Sequence, residues 1–102
     1  MAVVVQYVIK SIPGVDLASI IELTKEVAVL WRKYGGKVSF WAVSVGEIGN
    51  FAFTVNFENF STYGAALDKL NADPALQAWQ AKRLKAGLTE WVRSNLATEI
   101  SI

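Results

Sequence analysis

The 102-residue sequence contains no cysteine and no histidine. Without cysteine there is neither a disulfide framework nor a thiolate nucleophile. Without histidine the chain lacks the one side chain that titrates near neutral pH at its ordinary pKa. That removes Ser-His triads and imidazole ligands for zinc or haem iron. A charge imbalance is missing too: ten basic against nine acidic residues leave +1. No long-range field follows, so nucleic acid and anionic membrane are not expected partners. Nor is there an apolar run long enough to span a bilayer. The opening MAVVVQYVIK lacks a basic leader and is broken by Gln6, so it reads as neither a secretion signal nor an anchor. A cytoplasmic protein is the expectation, with no metal and no cofactor.

What is abundant is apolar surface. Apolar residues make up 53% of the chain and charged residues 19%, richer in apolar residues than an ordinary soluble domain. The length suits a single domain over residues 1–102, and a domain of that size has little interior. Part of the apolar surface is therefore expected to face a partner or a cavity. Self-association is the first reading and a small apolar or aromatic ligand the second.

The pattern along the chain gives the elements. Val3 to Ile12 is β-branched and reads as a strand closed by Pro13-Gly14. Asp16 caps a helix in which Leu17, Ile20, Ile21, Thr24, Val27, Ala28, Trp31 and Tyr34 recur at helical spacing, with Gly35 as its stop. Lys37–Val45 and Phe51–Phe57 alternate and form a hairpin around Gly46-Glu47-Ile48-Gly49-Asn50, a turn rather than a phosphate cradle. Asn59 or Ser61 caps a second helix with Tyr63, Ala66, Leu67 and Leu70 on one stripe. Asp73 followed by Pro74 ends that helix and starts another, with Leu76, Trp79, Gln80 and Arg83 in line and Gly87 closing it. Trp91 to Ile102 alternates as a last strand.

The order β-α-β-β-α-β, with one extra short helix, is that of an α+β, ferredoxin-like fold: a four-stranded antiparallel sheet with helices on one face. On the third strand Phe51, Phe53, Val55 and Phe57 share the apolar side, as do Val5, Tyr7 and Ile9 on the first. The other face mixes apolar residues with Gln6, Thr54 and Asn56. Such a face suits packing against a second copy, sheet on sheet.

The stretch FENFSTYGAALDKLNADPALQAWQAK, through Phe57, Phe60, Tyr63, Leu67, Leu70, Asp73, Pro74 and Trp79, resembles the segment after the third strand of the dimeric α+β-barrel superfamily. WRKYGGKV, with Trp31 and Gly35-Gly36, is similar to the end of that superfamily's first helix. The resemblance is to the NIPSNAP-like and antibiotic-biosynthesis-monooxygenase-like branches. It implies a homodimer whose sheets form a barrel, able to oligomerise further, with a cavity between sheet and helices in each subunit. It also implies activity on aromatic or polyketide-like molecules, including cofactor-free oxygenation and cyclisation. Haem-degrading and some cyclase branches rely on a histidine, so those activities do not carry over.

Residues able to line an apolar cavity and offer it a polar tip are Gln6, Tyr7, Trp31, Tyr34 and Trp41 in the first half of the chain. Asn56, Tyr63, Trp79 and Arg93 are their counterparts in the second. Oxygenation without a cofactor needs a substrate that loses a proton and groups that stabilise its anion in a dry pocket. Arg93 supplies a permanent charge, Tyr and Trp supply donors, and Gln6 or Asn56 can bind a carbonyl. Each also has a purely structural role open to it. The tryptophans and tyrosines fill cores and dimer contacts, Gln6 and Asn56 bond each other or the dimer partner, and Arg93 pairs with Glu58 or Glu99 across strands or between subunits. Two functions follow: a small-molecule binding protein or cofactor-independent monooxygenase or cyclase, and alternatively a non-catalytic dimeric accessory or assembly protein.

Overall fold

In the computed structural model, which describes residues 1–102, four strands pair in the order β2-β3-β1-β4, every pairing antiparallel. The elements are β1 (Val3–Ser11), α1 (Leu17–Lys33), β2 (Lys37–Ala42), β3 (Asn50–Phe57), α2 (Phe60–Ala72), α3 (Pro74–Ala86) and β4 (Thr89–Thr98). This is the expected ferredoxin-like α+β order. The strand ends differ from the sequence reading. β2 stops at Ala42 because the ladder closes with Val43 N–H on the Asn50 carbonyl (3.0 Å), and the chain then turns. β4 begins earlier than expected, at Thr89, and stops at Thr98, where the Glu99 N–H still reaches the Ala2 carbonyl at 2.8 Å.

Register decides which side chains meet the helices. Val5 lies opposite Val55 on β3 and Leu96 on β4, and Tyr7 lies opposite Phe53 and Ser94. These residues face the helices. Gln6, opposite Thr54 and Asn95, and Val8, opposite Ala52 and Arg93, take the other face. One irregularity interrupts the alternation. Between Val8 and Ile9 the partner on β4 jumps from Arg93 to Trp91, which makes Val92 the extra residue of a β-bulge. Trp91 is thereby carried to the side of Tyr7, and Arg93 stays on the side of Gln6.

The core sits between the helix-facing side of the sheet, α1 and α2. Val3, Val5, Val55 and Phe57 of the sheet meet Trp31 of α1 and Leu70 of α2 in one buried cluster. Buried side chains of this size contribute roughly 1.5–3 kcal/mol each. The Asp16 carboxylate accepts the Ser19 N–H at 2.8 Å to start α1. Gly36, just after it, presses so closely on the sheet that a Cβ there would come within 2.4 Å of the Val55 side chain. Only glycine allows that approach.

Asn59 starts α2 with a capping box: its side chain accepts the Thr62 N–H, and the Thr62 hydroxyl accepts the Asn59 N–H. Asp73 serves both as the C-terminal cap of α2 and as the N-terminal cap of α3, where it accepts the Ala75 N–H at 2.9 Å, and Pro74 opens the new helix. Gly87, at φ 60°, closes α3 in the left-handed conformation. No helix is long and apolar enough to cross a membrane.

Candidate functional site

Three elements enclose a cavity of about 190 Å3 between the sheet, α1 and α3, with the end of α2 at one corner; 13 of its 18 lining residues are hydrophobic. Tyr7, Phe40 and Phe53 form the sheet side. Leu23, Val27 and Trp31 come from the same stripe of α1 that builds the core. From α3 come Leu76, Trp79, Gln80 and Arg83, which share one face at helical spacing. None of the four is fully buried: Leu76 and Trp79 pack part-buried against the edge of the core, and the same face looks onto the cavity.

Aromatic rings dominate the sheet side. Tyr7 lies edge-on to Trp91 at 5.1 Å and is tilted against Phe53 and Trp31 at 6.4 and 6.5 Å. Burial, reinforced by the neighbouring Tyr63, raises the Tyr7 phenol above its ordinary pKa, so it stays neutral and is available as a hydrogen-bonding group, not a base. Trp79 donates its indole N–H to the Leu23 carbonyl at 2.9 Å, which ties α3 to α1. The Thr24 hydroxyl is spent on the Ile20 carbonyl at 2.8 Å.

At the partly exposed rim stands Arg83, the one charged residue on the lining. Its guanidinium lies 5.0 Å from the Trp91 ring and 6.0 Å from the Trp79 ring, and its Nε donates to Gln80 Oε1 at 3.2 Å. Burial lowers its pKa, though an arginine remains a cation at any physiological pH. Chemically the cavity can enclose a flat apolar molecule, hydrogen-bond to it and stabilise negative charge. It offers no carboxylate to take a proton, so a ligand that ionises there must do so on its own acidity or to solvent. No group of three acidic, histidine or cysteine side chains comes together as a metal site would need.

Of the residues singled out from the sequence, Tyr7, Trp31 and Trp79 lie on this cavity. The others do not. Gln6, Trp41, Asn56 and Arg93 fall on the opposite side of the sheet, as strand alternation dictates once Tyr7 is fixed toward the helices. There the Trp41 indole N–H donates to Thr54 Oγ1 at 3.0 Å, and the Asn95 side-chain amide donates to Gln6 Oε1 at 3.1 Å. Gln6 and Asn56 share a face but do not bond; Asn56 lies opposite Val4, one pair farther along.

Arg93 pairs with Glu47 at 2.9 Å, not with Glu58 or Glu99. It stands opposite Val8, toward the end of the sheet at which the β2–β3 turn lies, and Glu47 on that turn also accepts from Asn50 at 3.1 Å. The Arg93 guanidinium, and secondarily Asn50 and Lys10, hold the Glu47 carboxyl below its usual range. Tyr34 donates to Asp73 Oδ2 at 2.7 Å, and Tyr63 packs edge-on against Phe57 and Phe60, so neither reaches the cavity.

Arg83, Gln80 and Trp91 are among the polar and aromatic lining residues that sequence reasoning passed over. Arg83 and Gln80 stand in line with Trp79 on α3, and that shared face is the signal that finds them. Trp91 carries no such signal, because plain alternation puts it on the same face as Arg93 and only the bulge at Val92 separates them.

No family model and no curated protein matches the sequence. Solved structures do. An uncharacterized NIPSNAP domain protein from Burkholderia xenovorans superposes with a TM-score of 0.76 at 18% identity, covering 99% of this chain and 96% of that one. A NIPSNAP family protein of unknown function from Agrobacterium tumefaciens gives 0.73 at 13% identity, over 94% of this chain and 86% of that one. SnoaB, a cofactor-independent oxygenase from Streptomyces nogalater, gives 0.71 at 14% identity, over 99% of this chain and 95% of that one. At these identities the likeness is one of fold, and the ferredoxin-like fold of this chain is the one shared by those NIPSNAP proteins and SnoaB.

Proposed function

We propose that the protein binds a small aromatic or polyketide-like molecule in the cavity between α1, α3 and the sheet. The observation that carries this reading is the cavity itself. Protein interiors pack to crystal density, and voids well above the size of a water molecule are few. An aromatic-lined space of about 190 Å3 in a domain this small is a feature the packing retains. An enclosed apolar cavity of about 150 Å3 suffices for benzene. A ligand of one or two fused rings fits here, and a longer one extends through the rim. Titrating the protein with 2-naphthol while following tryptophan fluorescence tests it. Saturable quenching is expected, and an affinity by calorimetry that Leu23→Trp, which narrows the cavity, leaves unchanged would sink the idea.

Oxygenation of such a ligand without a cofactor is the second reading, favoured by the shared fold with SnoaB and by a largely apolar cavity with a fixed cation at its rim. Oxygen uptake with anthrone or a dihydroxynaphthalene checks it. A flat trace beside saturable binding leaves a binding protein.

The uncovered sheet face supports a homodimer. It carries Trp41, 56% exposed, above a surface in which Val8 and Ala52 are already buried within one chain. A second copy laid sheet on sheet would cover that indole together with the Gln6–Asn95 pair. Light scattering at micromolar concentration should return twice the chain mass, and a monomer there would overturn the dimer.

A further inference from the structure

We infer that the molecule held in this cavity carries a carboxylate, and that Arg83 receives it at the rim. The inference rests on the binding role proposed above and names the chemistry of the ligand. Arg83 is the only charged residue on the lining, and no acidic side chain shares the lining with it. The four ion pairs of the protein engage Lys25, Lys33, Lys82 and Arg93, and none engages Arg83. Partial burial lowers its pKa, and no counter-charge opposes that shift.

What surrounds the guanidinium holds it without neutralising it. The Trp91 and Trp79 rings lie 5.0 and 6.0 Å away and offer no lone-pair acceptor. Gln80 takes the Nε proton at 3.2 Å. With Nε occupied, the donors that remain are on Nη1 and Nη2, a planar fork whose spacing matches the two oxygens of one carboxylate. A neutral carboxamide ligand of the same shape would fill the apolar space and satisfy one arm of that fork at most. An anionic one places its rings against Tyr7 and Trp31 and its charge at the rim.

Comparing 2-naphthoate with 2-naphthamide, its uncharged isostere, by titration calorimetry at neutral pH tests the assignment. The carboxylate is expected to bind at least about tenfold more tightly, the scale of a charge-assisted bidentate contact. Arg83→Met keeps an apolar stem and should erase that preference, weakening naphthoate far more than naphthamide. Arg83→Lys should restore only part of it, since an ammonium cannot form the fork. Thermal melts of each variant confirm folding. Equal affinity of the two ligands for the unaltered protein, or a preference that survives Arg83→Met, overturns the carboxylate and leaves the cavity reading standing. Failure of both ligands to bind overturns the two together.

Discussion

α1 and α3 face one another across the same cavity, yet they are held in place by different means. α1 buries five residues, and its inner stripe is part of the core. α3 buries none. Leu76 and Trp79 rest part-buried against the core, and the helix is otherwise fastened by polar ties: Tyr34 and Lys33 to Asp73 at its start (2.7 and 3.2 Å), Trp79 to the Leu23 carbonyl in its middle (2.9 Å), and Lys82 to Glu26 further on (2.6 Å). Burial scales with area and is lost only when the whole domain unfolds, whereas a handful of polar contacts can open locally. One wall of the cavity therefore belongs to the global fold and the other can part from it.

The comparison breaks most sharply at Trp31. Trp31→Ala removes a core ring from α1 and should cost about 3–5 kcal/mol, read as a lower denaturation midpoint for the whole domain. If it loosens only the cavity, α1 is no more integral than α3. Trp79→Phe keeps a ring but deletes one hydrogen bond, at about 1 kcal/mol. Hydrogen exchange should then quicken over residues 75–86 and stay unchanged in α1; a uniform increase would merge the two walls.

Acid sharpens the contrast at Asp73. Three contacts hold its carboxyl below the ordinary range: the Ala75 N–H first, then the Tyr34 hydroxyl, then Lys33. A depressed folded pKa means that its stabilisation is complete above the unfolded value near ~4 and fades as pH falls through the lower folded value. The Ala75 amide resonance should titrate in that acid window and lose the transition in Asp73→Asn. The smallest effect belongs to Lys82→Ala. Its exposed ion pair with Glu26 is worth about 0–1 kcal/mol, and the loss should shrink further in 1 M salt.

Much of this architecture was legible in the sequence because local chemistry writes it there. Asp73-Pro74 reads as a cap and a first helical residue, and it forms both. Gly87 reads as a helix stop and takes the left-handed conformation. Phe53, Val55 and Phe57 alternate and face the helices. The site was less legible, because membership in it depends on facing. Gln6 and Tyr7 are neighbours in sequence, yet one bonds Asn95 in the open and the other packs on Trp91 under the helices. Arg93 drew attention by its charge, but strand parity and the Glu47 turn assign it to the outer face. Arg83 stood in the inner line of α3 throughout. Only the three-dimensional arrangement shows that this line, which starts against the core at Leu76 and Trp79, borders a cavity where Arg83 stands.

The bulge at Val92 acts as a one-residue frame. Draw Val92 into the ladder as an ordinary strand residue, and the two halves of β4 can no longer keep their present sides: either Trp91 turns out beside Gln6, or Leu96 does. In the first case Arg83 loses the nearer of its two rings and the cavity loses part of its rim, with no core residue altered. β4 is an edge strand, exposed along nearly all its length, where insertions and deletions disturb little packing. The shape of the rim can thus be edited by counting residues along this strand, while Trp31, Val55 and Leu70 keep the domain standing.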